Sequence, residues 1–173
     1  MNKTQTPRPT VVILGMGDTG VLVASRLNKH FRVIGVSTKT NLVSGQEVGK
    51  RLADLSWWQT NYNTPLRQFK ALAGITLVHG KAEHLDISTN SVRIALSNGE
   101  TESIDYDYLV IASGTSNGFW RTDTVQSASE IAEDLSHQAQ RVKAASSITV
   151  VGGGPTGVSV ALNIKRADPS KKV

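Results

Sequence analysis

The stretches "VVILGMGDTGVLVA" (Val11–Ala24) and "ITVVGGGPTGVSVA" (Ile148–Ala161) decide how this chain is read. Shifted by 137 positions, seven of the ten residues from Gly15 to Ala24 recur: Gly15 as Gly152, Gly17 as Gly154, Thr19 as Thr156, Gly20 as Gly157, Val21 as Val158, Val23 as Val160 and Ala24 as Ala161. Each copy opens with a short β-branched run that reads as a buried strand and ends in apolar residues at helical spacing. In such a turn the first glycine allows the tight bend, the second lets backbone approach a pyrophosphate, and the third lets helix pack close to strand. The helix N-terminus adds free N–H groups and the positive end of its dipole. One glycine motif is weak evidence, but strand, turn and helix in both copies favour dinucleotide binding over a merely tight βα turn.

Working outward, the helix after the first loop is expected to run to about Lys29, and Phe31 to Val36 reads as a second strand, completing a βαβ unit. From Asn41 to Leu72 the pattern is helical but broken. "QEVGKRLADL" and "PLRQFKAL" read as helices around an aromatic loop, "SWWQTNYNT". Ile75 to Gly80 reads as a strand, and "SVRIALSNGETESIDY" as a hairpin with a type I′ turn at Asn98-Gly99. "YDYLVIASG" (Tyr106–Gly114) is the continuous apolar strand that a covered parallel sheet demands. Gln126 to Ala145 reads as one amphipathic helix with Ile131, Leu135 and Val142 on its inner face.

Bulk composition narrows the function classes. Of 173 residues, 39% are hydrophobic and 19% charged, and no apolar run approaches the ~18 residues of a membrane span. The polar start "MNKTQTPRPT" is no signal peptide, so a cytoplasmic location is the default. With no cysteine, the chain has no disulfide, thiolate metal site or dithiol of its own, and redox chemistry must come from a bound cofactor. The net charge of +5 is dispersed except at Lys165, Arg166, Lys171 and Lys172, which read as a solvated helix end. Nucleic-acid binding is not expected, because aromatics make up only 5% and do not interleave with basic residues.

Two features depart from the usual nucleotide loop. An acid is expected about 20 residues after the first glycines, where it would hold a ribose hydroxyl. Here Ser37, Thr38 and Lys39 follow "FRVIGV", so the ribose is left to hydroxyls, to backbone or to Lys39. Lys39 also suits a 2′-phosphate, which opens an NADP reading of the first loop, or it is an ordinary surface turn. Asp18 would repel a pyrophosphate unless it caps the helix instead.

Together these motifs resemble the N-terminal part of an FAD-dependent pyridine nucleotide oxidoreductase with two dinucleotide-binding domains. "VVILGMGDTG" is similar to the family's first flavin-domain motif, "YDYLVIASG" to its second, which usually ends Ala-Thr-Gly, and "ITVVGGGPTGVSVA" to the start of its nested NAD(P)H domain. The resemblance spans nearly the whole chain. It implies an α/β fold: a Rossmann-like FAD-binding domain with a parallel sheet and a small antiparallel β insert, plus the first βα unit of a nested NAD(P)-binding domain. The boundaries it implies are 1–122 for the flavin domain, 123–146 for a connecting helix and 147–173 for the truncated nested domain.

It further implies that Gly15, Gly17 and Gly20, with Asp18 and Thr19 between them, lie at the FAD pyrophosphate. Ser37, Thr38 and Lys39 would lie near the ribose, Ala82 against the adenine through its backbone, and Ala112, Ser113 and Gly114 along the flavin nucleotide. Gly152, Gly154, Pro155, Thr156 and Gly157 would receive NAD(P)H, so that hydride passes from nicotinamide to flavin. Ser113 replaces the family's usual threonine, and Ser159 stands where its second motif often carries glutamate. The missing cysteine pair excludes the disulfide reductase branch over this segment. What is left resembles type II NADH dehydrogenases, apoptosis-inducing-factor-like quinone reductases and ferredoxin reductases.

The implied function is an FAD-dependent NAD(P)H oxidoreductase delivering electrons to a quinone or protein acceptor. The chain is expected to be a fragment inactive alone, against the alternative of a complete protein ending in an orphan βα unit. Two rival functions stay open: a redox-silent nucleotide-binding or interaction module, and an NADP-dependent Rossmann enzyme. A homodimer and peripheral membrane contact also stay open. No catalytic residue declares itself, and His30, His79, His84 and His137 lack ligand-like spacing, so no metal site is expected. Asp105 and Asp107 read as the solvated entrance of a strand. Trp57, Trp58 and Trp120 read as packing, with Ser116–Arg121 kept as a neighbour of a quinone or flavin.

Overall fold

The β-branched run Thr10–Leu14 forms strand β1, with Val11, Val12 and Ile13 all buried, as expected of a strand covered on both faces. The computed structural model describes residues 7–45, 48–54, 56, 60–61, 63–116 and 122–173. Helix α1 (Asp18–Leu27) follows the first glycine turn, and β2 (Arg32–Ser37) returns parallel to β1. A short antiparallel pair, β3 (Asn41–Val43) and β4 (Asn63–Pro65), brackets helix α2 (Val48–Ala53). Two 3₁₀ turns at Leu66–Gln68 and Lys70–Leu72 occupy the stretch expected as the helix "PLRQFKAL".

Strand β5 spans Thr76–Asp86, well past the expected end at Gly80. Its first half pairs parallel to β2 and its second half pairs antiparallel with β6 (Ser91–Leu96), which pairs in turn with β7 (Thr101–Asp105). The strand changes role at Gly80, where a Cβ would press on Ile94 Cγ2 2.7 Å away, and at a bulge between Ala82 and His84. β8 (Tyr108–Ile111) then closes the far side of β1, giving the six-stranded order β7-β6-β5-β2-β1-β8. Asp107 clamps the start of β1, its carboxylate accepting from Thr10 N–H at 2.6 Å, so it marks a strand entrance as expected.

The alternation along β1 and β2 sorts the core into two layers. Val11, Ile13 and Val33 pack with Met16, Ala24, Leu66 and Leu72 on the α1 side. Val12, Ile34 and Val36 pack with Val92, Ile94 and Ile104 of the antiparallel insert on the other. The insert therefore folds over the sheet as its second cover.

The hairpin stands where expected, but its turn differs. Among the described non-glycine residues only Asn90 has a positive φ, so Asn98 does not adopt the conformation a type I′ turn needs. Gly99 takes the left-handed position alone (φ 87°), with Gly99 N–H bonded to Leu96 O and Leu96 N–H to Glu100 O. That is a three-residue loop, a type I turn closed by a glycine bulge.

Helix α3 (Ala128–Ala144) starts later than expected because Ser127 caps it. Ser127 Oγ accepts from Glu130 N–H, and the Glu130 carboxylate accepts from Ser127 N–H at 2.7 Å, a reciprocal capping box. Its buried face is Ile131, Leu135 and Gln138, with Val142 half-buried. Helix α4 (Pro155–Ala167) follows the second glycine turn. The run before it pairs only at its start: Ser147 bridges Lys172 in parallel, with Ile148 N–H to Lys172 O at 2.7 Å. The basic end is also not wholly solvated. Lys171 is buried, its ammonium donating to Lys143 O at 2.7 Å and Ala145 O at 2.6 Å, carbonyls that the end of α3 leaves without a helical donor.

Candidate functional site

A cleft of about 460 Å³ opens where the carboxyl ends of β1, β2 and β8 meet the start of α1. The position follows from topology, since β2 and β8 flank β1 and leave a crevice above it. Its lining gathers Gly15, Gly17, Asp18 and Thr19 from the first loop, Ser37, Thr38 and Lys39 from the end of β2, Ala82 from β5, and Ala112, Ser113 and Gly114 after β8. Four distant stretches of sequence thus converge on one surface.

The three glycines of the first loop each face a different neighbour. Gly15 has φ 99° and lies against the carbonyl of Ala112, with Gly15 N–H bonded to Val36 O at 2.8 Å. Gly20 faces inward rather than into the cleft, and a Cβ there would collide with the carbonyl oxygen of Gly15. Gly17 has nothing within 4 Å of a would-be Cβ, so its backbone faces open space in the cleft at the N-terminus of α1. That is the cradle shape a pyrophosphate requires, with the first-turn N–H groups unused by the helix.

Asp18 does not cap α1. The cap position is Gly17, and Asp18 Oδ2 instead accepts from Gly45 N–H at 3.0 Å, tying the loop after β3 to the glycine turn. Lys39 is likewise committed. Its ammonium donates to Thr122 Oγ1 at 3.2 Å and to Gln126 Oε1, and burial pushes its pKa below the usual lysine value against the pull of Asp134 and Asp123. Ser37 Oγ accepts from Lys39 N–H at 3.1 Å. Lys39 and Gln126 also form a parallel bridge, and His79 Nε2 lies 3.1 Å from Gln126 O and 3.3 Å from Thr38 O. His79 is therefore a structural pin between the end of β2 and the segment before α3.

Sequence reasoning missed an ion pair on the cleft wall. Lys81 and Asp123 both line the wall near Ala82 and are ion-paired at 2.7 Å. The Lys81 ammonium, by donating to the Asp123 carboxylate, holds it below the usual carboxylate range. Nothing local marks Asp123, which lies 42 residues from its partner.

The second loop repeats the first locally. Gly152 has φ 110°, Gly154 caps α4, Pro155 is its first residue, and a Cβ on Gly157 would collide with Gly152 O. Gly152, Gly154, Pro155 and Thr156 are exposed and lie outside the cleft above β1. Trp57, Trp58, Trp120 and residues 117–121 lie outside the described residues. Among the described residues no helix is long and apolar enough to cross a membrane.

Residues 9–172 match the family model described as pyridine nucleotide-disulphide oxidoreductase. The chain belongs to the pyridine nucleotide-disulphide oxidoreductase family. Within it, this family member is 37% identical over 87 residues to an oxidoreductase, ptaL, of Pestalotiopsis fici, covering 49% of this chain and 23% of that protein. It is 29% identical over 164 residues to the CoA-dependent NAD(P)H sulfur oxidoreductase of Pyrococcus abyssi, covering 89% of this chain and 36% of that one. The chain therefore spans about a third or less of these relatives' length. In fold it is similar to NDH2 of Plasmodium falciparum, with a TM-score of 0.67 at 19% identity over 92% of this chain and 37% of that one.

Proposed function

We propose that this chain carries the adenosine and pyrophosphate side of an FAD site in an NAD(P)H oxidoreductase that delivers electrons to a quinone or protein acceptor. The observation that carries the reading is the convergence of Gly15–Thr19, Ser37–Lys39, Ala82 and Ala112–Gly114 on one cleft. The fit is chemical as well as spatial: Gly17 leaves room where a pyrophosphate would approach, and Gly15 and Gly20 close the turn behind it. FAD, when bound, accepts a hydride from a nicotinamide and passes its electrons on. The chain's own part is to bind and orient. The first turn of α1 would hold the pyrophosphate through backbone N–H groups, Ala82 would face the adenine, and Ala112, Ser113 and Gly114 would follow the nucleotide toward the flavin. On this reading 1–122 is the flavin domain, 123–146 the connecting helix and 147–173 the start of the NAD(P)H domain, with Gly152, Gly154, Pro155, Thr156 and Gly157 at its pyrophosphate.

The test is the visible absorption spectrum of the purified chain before and after adding FAD and desalting. Retained flavin bands are the expected outcome; a colourless protein that instead binds NADP would reassign the first loop. Against that NADP reading stands the engagement of Lys39 and Lys81, neither of which is left pointing at a 2′-phosphate. A redox-silent nucleotide-binding module is the second reading, favoured by the exposed second loop. Bleaching of the flavin bands by anaerobic NADH would mark hydride transfer and exclude this second reading.

A further inference from the structure

We infer that Asp123 supplies the ribose-binding carboxylate that the end of β2 lacks. The inference rests on the cleft being a dinucleotide site. At that end a carboxylate ordinarily accepts from the vicinal hydroxyls of the ribose, and β2 ends instead in Ser37, Thr38 and Lys39. Asp123 lines the same cleft as these three residues, on the segment that leads into α3. Two contacts hold that segment in place. Gln126 N–H donates to Thr38 O at 2.7 Å, and Lys39 reaches Thr122 Oγ1 across the same junction. Asp123 Oδ2 accepts from Lys81 Nζ at 2.7 Å, which aims the carboxylate along the wall beside Ala82. A carboxylate has about four acceptor positions, so this bond leaves capacity for a cis-diol.

The pairing has a second effect. Asp123 occupies Lys81 and sets a negative charge where a 2′-phosphate would sit, so the cleft selects an unphosphorylated adenosine ribose. The role usually held by an acid on β2 has moved to a residue remote in sequence, with Lys81 as its positioning residue.

The test measures ADP, 2′-deoxy-ADP and 2′,5′-ADP binding to the purified chain by calorimetry, alongside FAD binding by flavin fluorescence. The wild-type chain should bind 2′-deoxy-ADP about tenfold more weakly than ADP, as expected for loss of a hydrogen bond to a charged group. Asp123→Ala should bind ADP and 2′-deoxy-ADP alike and gain affinity for 2′,5′-ADP. Lys81→Met should shrink the discrimination while keeping 2′,5′-ADP weak. Circular dichroism confirms that each variant is folded. An Asp123→Ala chain that discriminates as well as wild type overturns the assignment while FAD binding by both upholds the cleft. A folded wild-type chain that binds neither FAD nor ADP overturns the dinucleotide reading itself, and this inference with it.

Discussion

The two glycine loops share their local geometry and differ in their surroundings. In both, the first glycine has a positive φ, the second caps the helix in extended conformation, and the third has no room for a side chain against the first. The first is flanked by β2 and β8 and overlooks a cleft, whereas the second begins a run that pairs only at Ser147. A glycine motif therefore specifies a turn. The strands on either side make that turn a site.

Substitutions at matching positions separate these two contributions. The largest effect is expected from Gly20→Val, which forces a branched side chain into the Gly15 carbonyl inside the core; chemical denaturation should show a loss of about 3 kcal/mol. Gly157→Val makes the same local collision beside a run that pairs only at Ser147, so the main unfolding transition should shift far less. Equal losses from the two would mean that the second unit is as integral to the core as the first.

Gly17→Val sharpens the comparison from the other side. Its Cβ enters open space and its φ of −77° suits any residue, so stability should change by no more than about 0.5 kcal/mol. FAD affinity should nevertheless fall at least about tenfold, because the side chain fills the pyrophosphate position. Unchanged flavin binding in this variant would remove the first loop from the site.

Smaller effects test α3, the helix between the two loops. Ser127→Ala removes the cap and should cost about 1 kcal/mol, read as a lower denaturation midpoint. Hydrogen bonds from Ser127 hydroxyl and backbone hold Glu130 below its ordinary carboxylate value. A depressed carboxylate stabilises the fold above its unfolded pKa and loses that contribution as pH falls through the folded one. Acid titration from about pH 5 downward should therefore loosen α3, and Ser127→Ala should flatten that dependence. A variant that titrates like wild type would mean that the capping box does not govern the acid response.

The parallel core was legible because β-branched runs and helical spacing are local signals: β1, α1, β2 and β8 stand close to where they were expected. The residues of the cleft came by two routes: the glycine loop and the end of β2 from local signals, Ala82 and Ala112–Gly114 only through the family resemblance. β5 was read too short because beyond Gly80 it carries Lys81, Glu83 and His84, polar residues that suit its solvated half. The hairpin turn was misassigned because an Asn-Gly pair fits two loop lengths, and only pairing across Leu96 and Glu100 chooses between them. The Ser127–Glu130 box was readable from its spacing and would have placed the helix start. The roles of Lys39, Lys81 and Asp123 were not readable at all, because Thr122, Asp123 and Gln126 reach them from 42 to 87 residues away.

The single bridge between Ser147 and Lys172 has a kinetic meaning. Parallel strands form slowly because the chain between them must first be drawn into a closed loop, and that entropy is lost before any ladder bond is gained. With α4 folded and the bridge made, this loss has already been met. The bridge is thus the costly first step, comparable to the nucleating turn of a helix.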